Sequence, residues 1–265
     1  MSIKRSSKEF IRHLVTRSGF VRLYVRIRRA RGQNVDHLFH ESLAERFSAI
    51  YNNRIWLTGR KTGALSGIGS EIENTVGIRR QLPELLASIR TQVLLDVGCG
   101  DLTWMKEIDL PCKYIGADVV PSVIAVNSAQ YGSESRRFCM LDATRDSLPP
   151  ADTVLCREVL FHLSFQDIWR LLENVRACGA SLLIATNDSG LRVNADIISG
   201  DSRTLNLQRY PFHFPQPVFS ILDNSIAQDR VLSVWEVQSL PRNGRSGHDT
   251  HRPAELANAK PLHAR

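Results

Sequence analysis

The feature that most constrains the fold is an apolar run that ends in two closely spaced glycines. Residues 93–100 read Val-Leu-Leu-Asp-Val-Gly-Cys-Gly. A run of this length, rich in leucine and β-branched residues, is typical of a buried parallel strand. The glycines permit a tight turn and a close approach of the backbone to a ligand, because they carry no Cβ. We therefore predict a strand, a glycine turn and a helix at about residues 102–108, the first βα unit of a Rossmann-like sheet.

An acid within this turn separates two classes of nucleoside cofactor. The dinucleotide pattern Gly-x-Gly-x-x-Gly requires a third glycine, where this chain has Thr103. Asp96 precedes the first glycine, and a buried carboxylate beside a pyrophosphate is electrostatically unfavourable. The same carboxylate stabilises a desolvated cation, such as the ammonium or sulfonium group of S-adenosylmethionine. The turn therefore favours S-adenosylmethionine over a dinucleotide.

Three further short strands are predicted, and acids follow them at the edge of the sheet where ligands bind. The strands cover residues 113–118, 137–141 and 152–156. Asp118 lies about 20 residues beyond the first glycine, the distance at which an acid reaches both ribose hydroxyls. A helix N-cap or loop acid is the alternative interpretation of Asp118. Asp142 is expected to accept a hydrogen bond from the adenine amino group.

Five segments stand in an order that is characteristic of one enzyme family. They are Leu95–Gly100, Gly116–Asp118, Leu141–Ala143, Cys156–Leu163 and Ser181–Ala185. In this order they resemble the motifs of the class I S-adenosylmethionine-dependent methyltransferases, over about residues 90–187. A narrower resemblance, to an uncharacterised bacterial-type subgroup, adds Trp104 and residues 66–70, 205–207 and 211–212.

The resemblance implies a fold, a reaction and a cofactor. The fold is α/β, a Rossmann-like sheet of seven mostly parallel strands with helices on both faces, here with an N-terminal helical extension. The reaction is methyl transfer, and the cofactor is S-adenosyl-L-methionine. The residues that we predict to bind this cofactor are Asp96, Gly98, Cys99, Gly100, Trp104, Asp118, Val119, Asp142, Ala143, Arg157, Ser66 and Gly67.

The segment after the fourth strand is where we place the chemistry. Methyl transfer requires alignment of the reacting atoms in a site that excludes water, and an oxygen nucleophile also benefits from a base. Glu158 and His162 are the candidate catalytic residues, on one face if the segment is helical. A structural histidine and a cofactor or loop contact by Glu158 are the alternatives. Phe161 replaces the second acid of metal-binding methyltransferases, so no metal is expected.

Positive charge is concentrated at the N-terminus. Residues 1–31 hold ten Lys or Arg and the single acid Glu9, which leaves 24 basic and 26 acidic residues elsewhere. Such a segment suits an anionic membrane surface or a phosphate-bearing partner. A basic arm docked on the body and an organellar transit peptide are the alternatives. No apolar run is long enough to cross a bilayer. Five scattered cysteines without a Cys-x-x-Cys pair indicate reduced thiols, so we expect a cytoplasmic protein that also contacts a membrane surface if the basic segment binds one.

Several loops and helices outside the family motifs are also predicted. Residues 35–51 have the pattern of one amphipathic helix. Ser70 and Glu73 match a capping box for a helix that begins near residue 71, so the turn at 66–70 would offer free amides to the methionine carboxylate of the cofactor; a glycine linker is the alternative. Residues 205–215 suit either a lid over a polar acceptor or a structural turn, and a hairpin of strands at 218–222 and 231–237 follows.

The predicted organisation and function are these. The chain divides into a basic arm (1–31), a helical extension with a cofactor-closing loop (32–90), a methyltransferase domain (91–240) and a disordered tail (241–265). We expect methylation of an oxygen on a small molecule or glycan, since the Asn/Asp-Pro-Pro-Tyr/Phe ending of many amino-methylating enzymes is absent. An RNA or protein methyltransferase that uses the basic arm, and a cofactor-binding protein without catalysis, are the alternatives.

Overall fold

The computed structural model describes residues 20–57, 60 and 62–243. Most of the predicted basic arm and nearly all of the predicted tail lie outside these described residues. The α-helices of the described part are α1 (Val21–Ala30), α2 (Leu43–Asn52), α3 (Val76–Ser88), α4 (Pro121–Tyr131) and α5 (Phe165–Ala177). Its strands are β1 (Val93–Val97), β2 (Lys113–Asp118), β3 (Arg136–Met140), β4 (Thr153–Cys156), β5 (Leu182–Asp188), β6 (Phe219–Leu222) and β7 (Arg230–Glu236).

The strands form one seven-stranded sheet in the order β3-β2-β1-β4-β5-β7-β6. The four pairings among the first five strands are parallel, whereas β7 runs antiparallel to both β5 and β6. The predicted sheet and its closing hairpin are thus confirmed. After β3 the chain returns to the other side of β1 and continues with β4. This change of direction opens a crevice between β1 and β4, where ligands bind in sheets of this kind.

Side chains of the sheet alternate between two apolar cores, as the two-residue period of a strand requires. Leu95 packs with the apolar stripe of α5, while its neighbour Leu94 packs with the buried face of α3. Helices therefore cover both faces, which explains why β1 needs apolar side chains at consecutive positions. Ser164 caps α5, since its hydroxyl accepts a hydrogen bond of 3.1 Å from the amide of Asp167.

Two predicted helices differ from the structure. The helix predicted at residues 102–108 is reduced to one 3-10 turn at Met105–Glu107. Leu102, where the helix was expected to begin, has a left-handed φ of 53° that is incompatible with an α-helix. The helix predicted at 35–51 is divided into a 3-10 turn at Asp36–Phe39 and α2. Ser42 and Glu45 form a capping box there, so a new helix begins at this point.

The capping box predicted at Ser70 is wrong. Two 3-10 turns, Ile68–Ser70 and Glu73–Thr75, occupy this region, and α3 begins only at Val76. Ser70 therefore does not cap α3. Thr75, the residue before α3, donates through its hydroxyl to the carbonyls of Glu71 and Ile72.

The aromatic segment predicted as a lid or a structural turn is part of the core. Leu205, Leu207, Phe212 and Phe214 are all buried, and Phe212 packs against the ring of Trp169 with 5.3 Å between the ring centroids. This burial supports the structural interpretation, because side chains in the core are not available to cover an acceptor.

A buried ion pair connects β4 with the hairpin. The guanidinium of Arg157 donates to both carboxylate oxygens of Asp223, at 2.9 Å each, and the two side chains are only 4% and 3% exposed. A third bond of 2.9 Å runs from Arg157 to the carbonyl of Gly69. One arginine therefore fixes the loop before α3 and the segment after β6 to the end of β4.

We expect the Asp223→Asn substitution to reduce the free energy of unfolding by about 3–5 kcal/mol, because it leaves the buried charge of Arg157 without a counter-charge. Urea denaturation followed by circular dichroism measures the change. Glu173→Gln is the matched control, since Glu173 pairs with Arg176 at a position that is 51% exposed. The control should change stability by less than about 1 kcal/mol. If the two variants lost similar amounts of the free energy of unfolding, the buried ion pair would contribute no more to stability than the exposed one.

Candidate functional site

A cleft with an empty volume of about 920 Å³ lies at the carboxyl ends of β1, β2 and β4. It contains every site residue predicted from the sequence except Gly67. The predicted residues that line it are Ser66, Asp96, Gly98, Cys99, Gly100, Trp104, Asp118, Val119, Asp142, Ala143, Arg157, Glu158 and His162. The structure thus brings together side chains that come from separate strand ends along the chain.

The glycine turn after β1 leaves no space for larger residues. Gly98 and Gly100 have φ angles of 73° and 60°, a region that favours glycine. A Cβ on Gly98 would lie 2.5 Å from a methyl carbon of Val159, and one on Gly100 would collide with the side chain of Ser66. The turn itself is held by the amide of Gly98, which donates to the carbonyl of Ala117 at 2.7 Å. These glycines therefore permit both the turn and the close packing of the loops around the cleft.

Asp96 places a carboxyl group in the interior, at the edge of the cleft. It is 4% exposed and accepts a hydrogen bond of 2.7 Å from the hydroxyl of Tyr114. Burial raises the pKa of Asp96 to about 7, although the bond from Tyr114 acts in the opposite direction. An ionised carboxylate in such a place is stabilised by a cation, so this part of the cleft fits a positively charged ligand.

The predicted ribose and adenine ligands lie farther along the same edge. The carboxylate of Asp118 accepts from the amides of Gly100 and Val120, both at 3.0 Å, and burial raises its pKa. Each of its oxygens has a second lone pair for a ligand hydroxyl. The carboxylate of Asp142 accepts from the amide and hydroxyl of Thr144 through one oxygen, Oδ1. The binding of ribose by Asp118 and of adenine by Asp142 stays a prediction that this geometry permits.

The turn at residues 66–70 is anchored differently from the prediction. No α-helix begins there, and the amides of Ser66, Gly67 and Ser70 donate within the protein. Asp101 holds the turn, since its carboxylate accepts from the amide of Leu65 at 2.6 Å and from the hydroxyl of Ser66 at 2.9 Å. Ser66 and Ser70 line the cleft. The expectation of a helix N-terminus at this turn is therefore wrong, and the turn contributes the side chains of Ser66 and Ser70 to the cleft.

Glu158 lies at the end of β4 in a left-handed conformation, with a φ of 58°. Its amide donates to the hydroxyl of Thr186 at 2.8 Å, and its carboxylate accepts from the guanidinium of Arg230 at 2.6 Å. Arg230 in turn pairs with Asp188 at 3.2 Å and lies over the ring of Phe161. Glu158 is thus held in a fixed orientation by these hydrogen bonds. No local sequence pattern indicates its partners on β5 and β7.

The ring of His162 is held in place through one of its two nitrogens, Nδ1. Nδ1 lies 2.9 Å from the carbonyl oxygen of Asp201. A carbonyl only accepts, so Nδ1 carries the hydrogen and Nε2 of the neutral ring has the free lone pair. Burial lowers the pKa of His162 to about 4, so the ring is neutral near pH 7. The imidazole packs against Trp56 and Phe161, with ring centroids 4.9 and 4.5 Å away.

Sequence reasoning missed one wall of the cleft. Leu43, Phe47, Tyr51 and Trp56 line it from α2 and the turn that follows α2. Tyr51 also forms a hydrogen bond of 2.9 Å with the hydroxyl of Ser66. The apolar pattern of α2 was recognised as a buried face, and nothing in the pattern indicates that part of this face borders a ligand cleft. Among the described residues, no group of three or more His, Cys, Asp or Glu side chains is arranged to hold a metal ion.

The fold and the cleft define a class of protein, a Rossmann-like domain with a buried carboxyl group at the edge of its cleft. Residues 95–179 match the profile of a family described as "Methyltransferase domain". This segment contains the glycine turn, Asp118, Asp142 and the loop with Glu158 and His162. This segment of the chain therefore matches a methyltransferase domain, and S-adenosylmethionine is the cofactor that this family uses.

Solved structures of methyltransferases are similar to this chain. Human N-acetylserotonin methyltransferase in complex with S-adenosylmethionine shares 21% identity at a TM-score of 0.45, over 66% of this chain and 50% of that protein. The chain thus spans half the length of that enzyme. N-methyltransferase NodS from Bradyrhizobium japonicum WM9, in complex with S-adenosyl-L-homocysteine, shares 14% identity at a TM-score of 0.47, over 71% of this chain and 97% of that chain. The comparison with curated proteins finds no match.

The raised pKa of Asp96 predicts that cofactor affinity depends on pH. Above about pH 7 the carboxyl group is ionised and attracts a cation, whereas below it the group is protonated and binding must release that proton. We expect the dissociation constant of S-adenosylmethionine to rise as pH falls below 7, by up to roughly tenfold per pH unit. Titration calorimetry at pH 5.5 to 8.5, values chosen to bracket the pKa of about 7, measures this.

Two variants provide controls for this prediction. Asp96→Asn should bind the cofactor more weakly at high pH and lose the dependence on pH, because no proton is exchanged at this position. Asp142→Asn changes a less buried acid of the same cleft. In this variant the dissociation constant should depend on pH as steeply as it does in the wild type. A wild-type slope in Asp96→Asn would show that a different group is responsible.

Proposed function

We propose that the protein transfers a methyl group from S-adenosylmethionine to a hydroxyl oxygen of a small molecule or glycan, with His162 as the general base. When bound, the cofactor supplies an electrophilic methyl group. The observation that supports a base is the fixed tautomer of His162, which leaves Nε2 as a proton acceptor beside the cleft. An oxygen nucleophile becomes more reactive as it loses its proton, whereas other acceptors have less need of a base.

The environment of His162 suits this role in one respect and limits it in another. The bond from Nδ1 to the carbonyl of Asp201 orients the ring and stabilises the positive charge that arises when Nε2 takes a proton. Aromatic side chains on both sides exclude water and keep the free ring neutral. The pKa of about 4 makes the free ring a weak base. The hydroxyl must therefore pass its proton to Nε2 while its oxygen attacks the methyl group, and not in an earlier step.

Glu158 has a different role in this proposal. Its Oε1 atom is bound to Arg230, which also binds Asp188, so the carboxylate is part of a fixed network of charges. The backbone of Gly69 lies so close to the carboxylate of Glu158 that a Cβ on Gly69 would collide with it. We assign Glu158 to the orientation of ligand groups and the closure of the loop, and His162 to proton transfer.

The wall beyond His162 indicates which acceptors fit. Phe47 and Trp56 present aromatic rings next to the imidazole, with centroids 6.5 and 4.9 Å from it. Rings of this kind bind the flat or apolar face of an acceptor, which holds its hydroxyl near Nε2. Aromatic compounds and sugars with an apolar face both satisfy this requirement. No polar lid over the acceptor is needed, which agrees with the burial of Leu205, Leu207, Phe212 and Phe214 in the core.

The test uses methyl-labelled S-adenosylmethionine and fractionated cell lysate. We expect label in material that resists protease and ribonuclease, and the product should be an O-methyl ether when it is characterised by mass spectrometry. Label in RNA or protein would contradict the proposed acceptor class.

The variant His162→Asn tests the base once a labelled fraction is known. An asparagine amide can replace Nδ1–H as the donor to Asp201 but has no counterpart of Nε2. We expect kcat to fall by about 10²–10⁴-fold, the usual contribution of a general base, while the cofactor dissociation constant stays within about twofold. In the wild type, at saturating cofactor, kcat should show no titration of His162 between pH 5 and 8, since its pKa is about 4. An unchanged kcat in the variant would exclude His162 as the base.

A further inference from the structure

Helix α1 is attached to the body of the protein by one face only. Val25 is buried in a small apolar cluster with Val35 and Leu38. Arg28 forms an ion pair of 2.6 Å with Asp201, and both side chains are largely buried. These contacts fix the rotation of the helix about its axis, so the orientation of its remaining faces is determined.

Another face of α1 and its N-cap residue is apolar and open to solvent. Phe20, Leu23 and Ile27 are 56%, 51% and 42% exposed. Their spacing of three and then four residues places all three on one stripe of the helix. Single exposed apolar residues are common on protein surfaces, but a stripe of three on one short helix face indicates a contact beyond those that residues 20–57, 60 and 62–243 make with it.

Positive charge accompanies this stripe. Arg22, Arg26 and Arg29 are exposed on the same helix, and Arg31 follows its last residue. The helix contains no acid, and the ion pair of Arg29 with Asp36 is exposed on both sides, so it neutralises little of the local charge. The surface therefore combines apolar side chains with uncompensated cations.

This combination favours one kind of partner. A lipid surface with anionic headgroups takes up apolar side chains at the boundary of the acyl region and attracts arginines at the headgroup level. An RNA backbone would bind the arginines, but it offers little apolar surface to the leucine and isoleucine side chains. No helix of the described part is long and apolar enough to span a bilayer, which leaves contact in the plane of the surface.

We propose that α1 is a peripheral membrane anchor whose exposed stripe of Phe20, Leu23 and Ile27 inserts at the surface of an anionic membrane while its arginines bind the headgroups. The anchor is independent of the methyl acceptor, because it uses none of the residues that line the cleft. It places the protein at a membrane with the orientation that the docked face of α1 imposes.

The experiment is co-sedimentation of the full chain with vesicles. One set contains phosphatidylcholine alone, and the other contains phosphatidylcholine mixed with phosphatidylserine. We expect the wild type to bind the mixed vesicles, to bind neutral vesicles much less, and to be released progressively by salt. Leu23→Ser with Ile27→Ser should weaken binding by roughly tenfold or more, since two apolar side chains no longer leave water. Arg22→Glu with Arg26→Glu should remove the preference for phosphatidylserine.

Two controls match these variants in chemistry and exposure. Val126→Ser changes a valine that is 50% exposed on α4, and Arg137→Glu reverses an exposed charge on β3. Both should bind vesicles like the wild type, and all variants should keep their circular dichroism spectra and their affinity for S-adenosylmethionine.

Three results would overturn the proposal. The first is equal binding of the wild type to neutral and mixed vesicles, or binding to neither. The second is unchanged binding of the Leu23 and Ile27 double variant. The third is binding to polyuridylic acid that exceeds vesicle binding and depends only on the arginines, which would identify α1 as a contact for RNA.

Discussion

The buried carboxyl group of Asp96 at the end of the central strand is the constraint on which the cofactor site depends. Its position between two apolar layers makes ionisation costly, and the hydroxyl of Tyr114 provides only partial compensation. A cation in the cleft removes that cost. The same requirement explains why the neighbouring loop is so tightly packed, with glycines at 98 and 100, because water that reached Asp96 would weaken its attraction for the cation.

A second set of contacts connects the N-terminal helices with the loop that carries His162. The carboxylate of Asp201 pairs with Arg28, while its carbonyl accepts from His162. Two neighbouring carbonyls are also bound from the N-terminal side, that of Gly200 by His37 at 3.1 Å and that of Ser199 by Arg46 at 3.0 Å. Residues 199–201 therefore lie between the extension and the candidate base. A displacement of α1 would be transmitted to His162 through a single residue.

The sequence was sufficient to predict those parts of the site that depend on local order. The strand before the glycine turn, the acids Asp118 and Asp142 and the loop with His162 follow from short patterns, since the carboxyl ends of parallel strands meet at one edge. The pairing of Glu158 with Arg230 could not be predicted, because 72 positions separate them and the antiparallel register of β5 and β7 brings them together. The capping box at Ser70 failed for the opposite reason, since a correct local pattern was overridden by tertiary contacts.

The two sides of the cleft have different origins, and this difference bears on specificity. The cofactor side is built from strand ends of the sheet, whose positions are fixed by backbone hydrogen bonds and two apolar cores. The opposite wall comes from α2 and the turn after it, where Phe47, Tyr51 and Trp56 contact one another, the glycine-rich loop and the apolar cluster of Val120 and Val123. The extension before the sheet therefore contributes one wall of the cleft, and residues 199–201 connect this extension with the loop that carries His162.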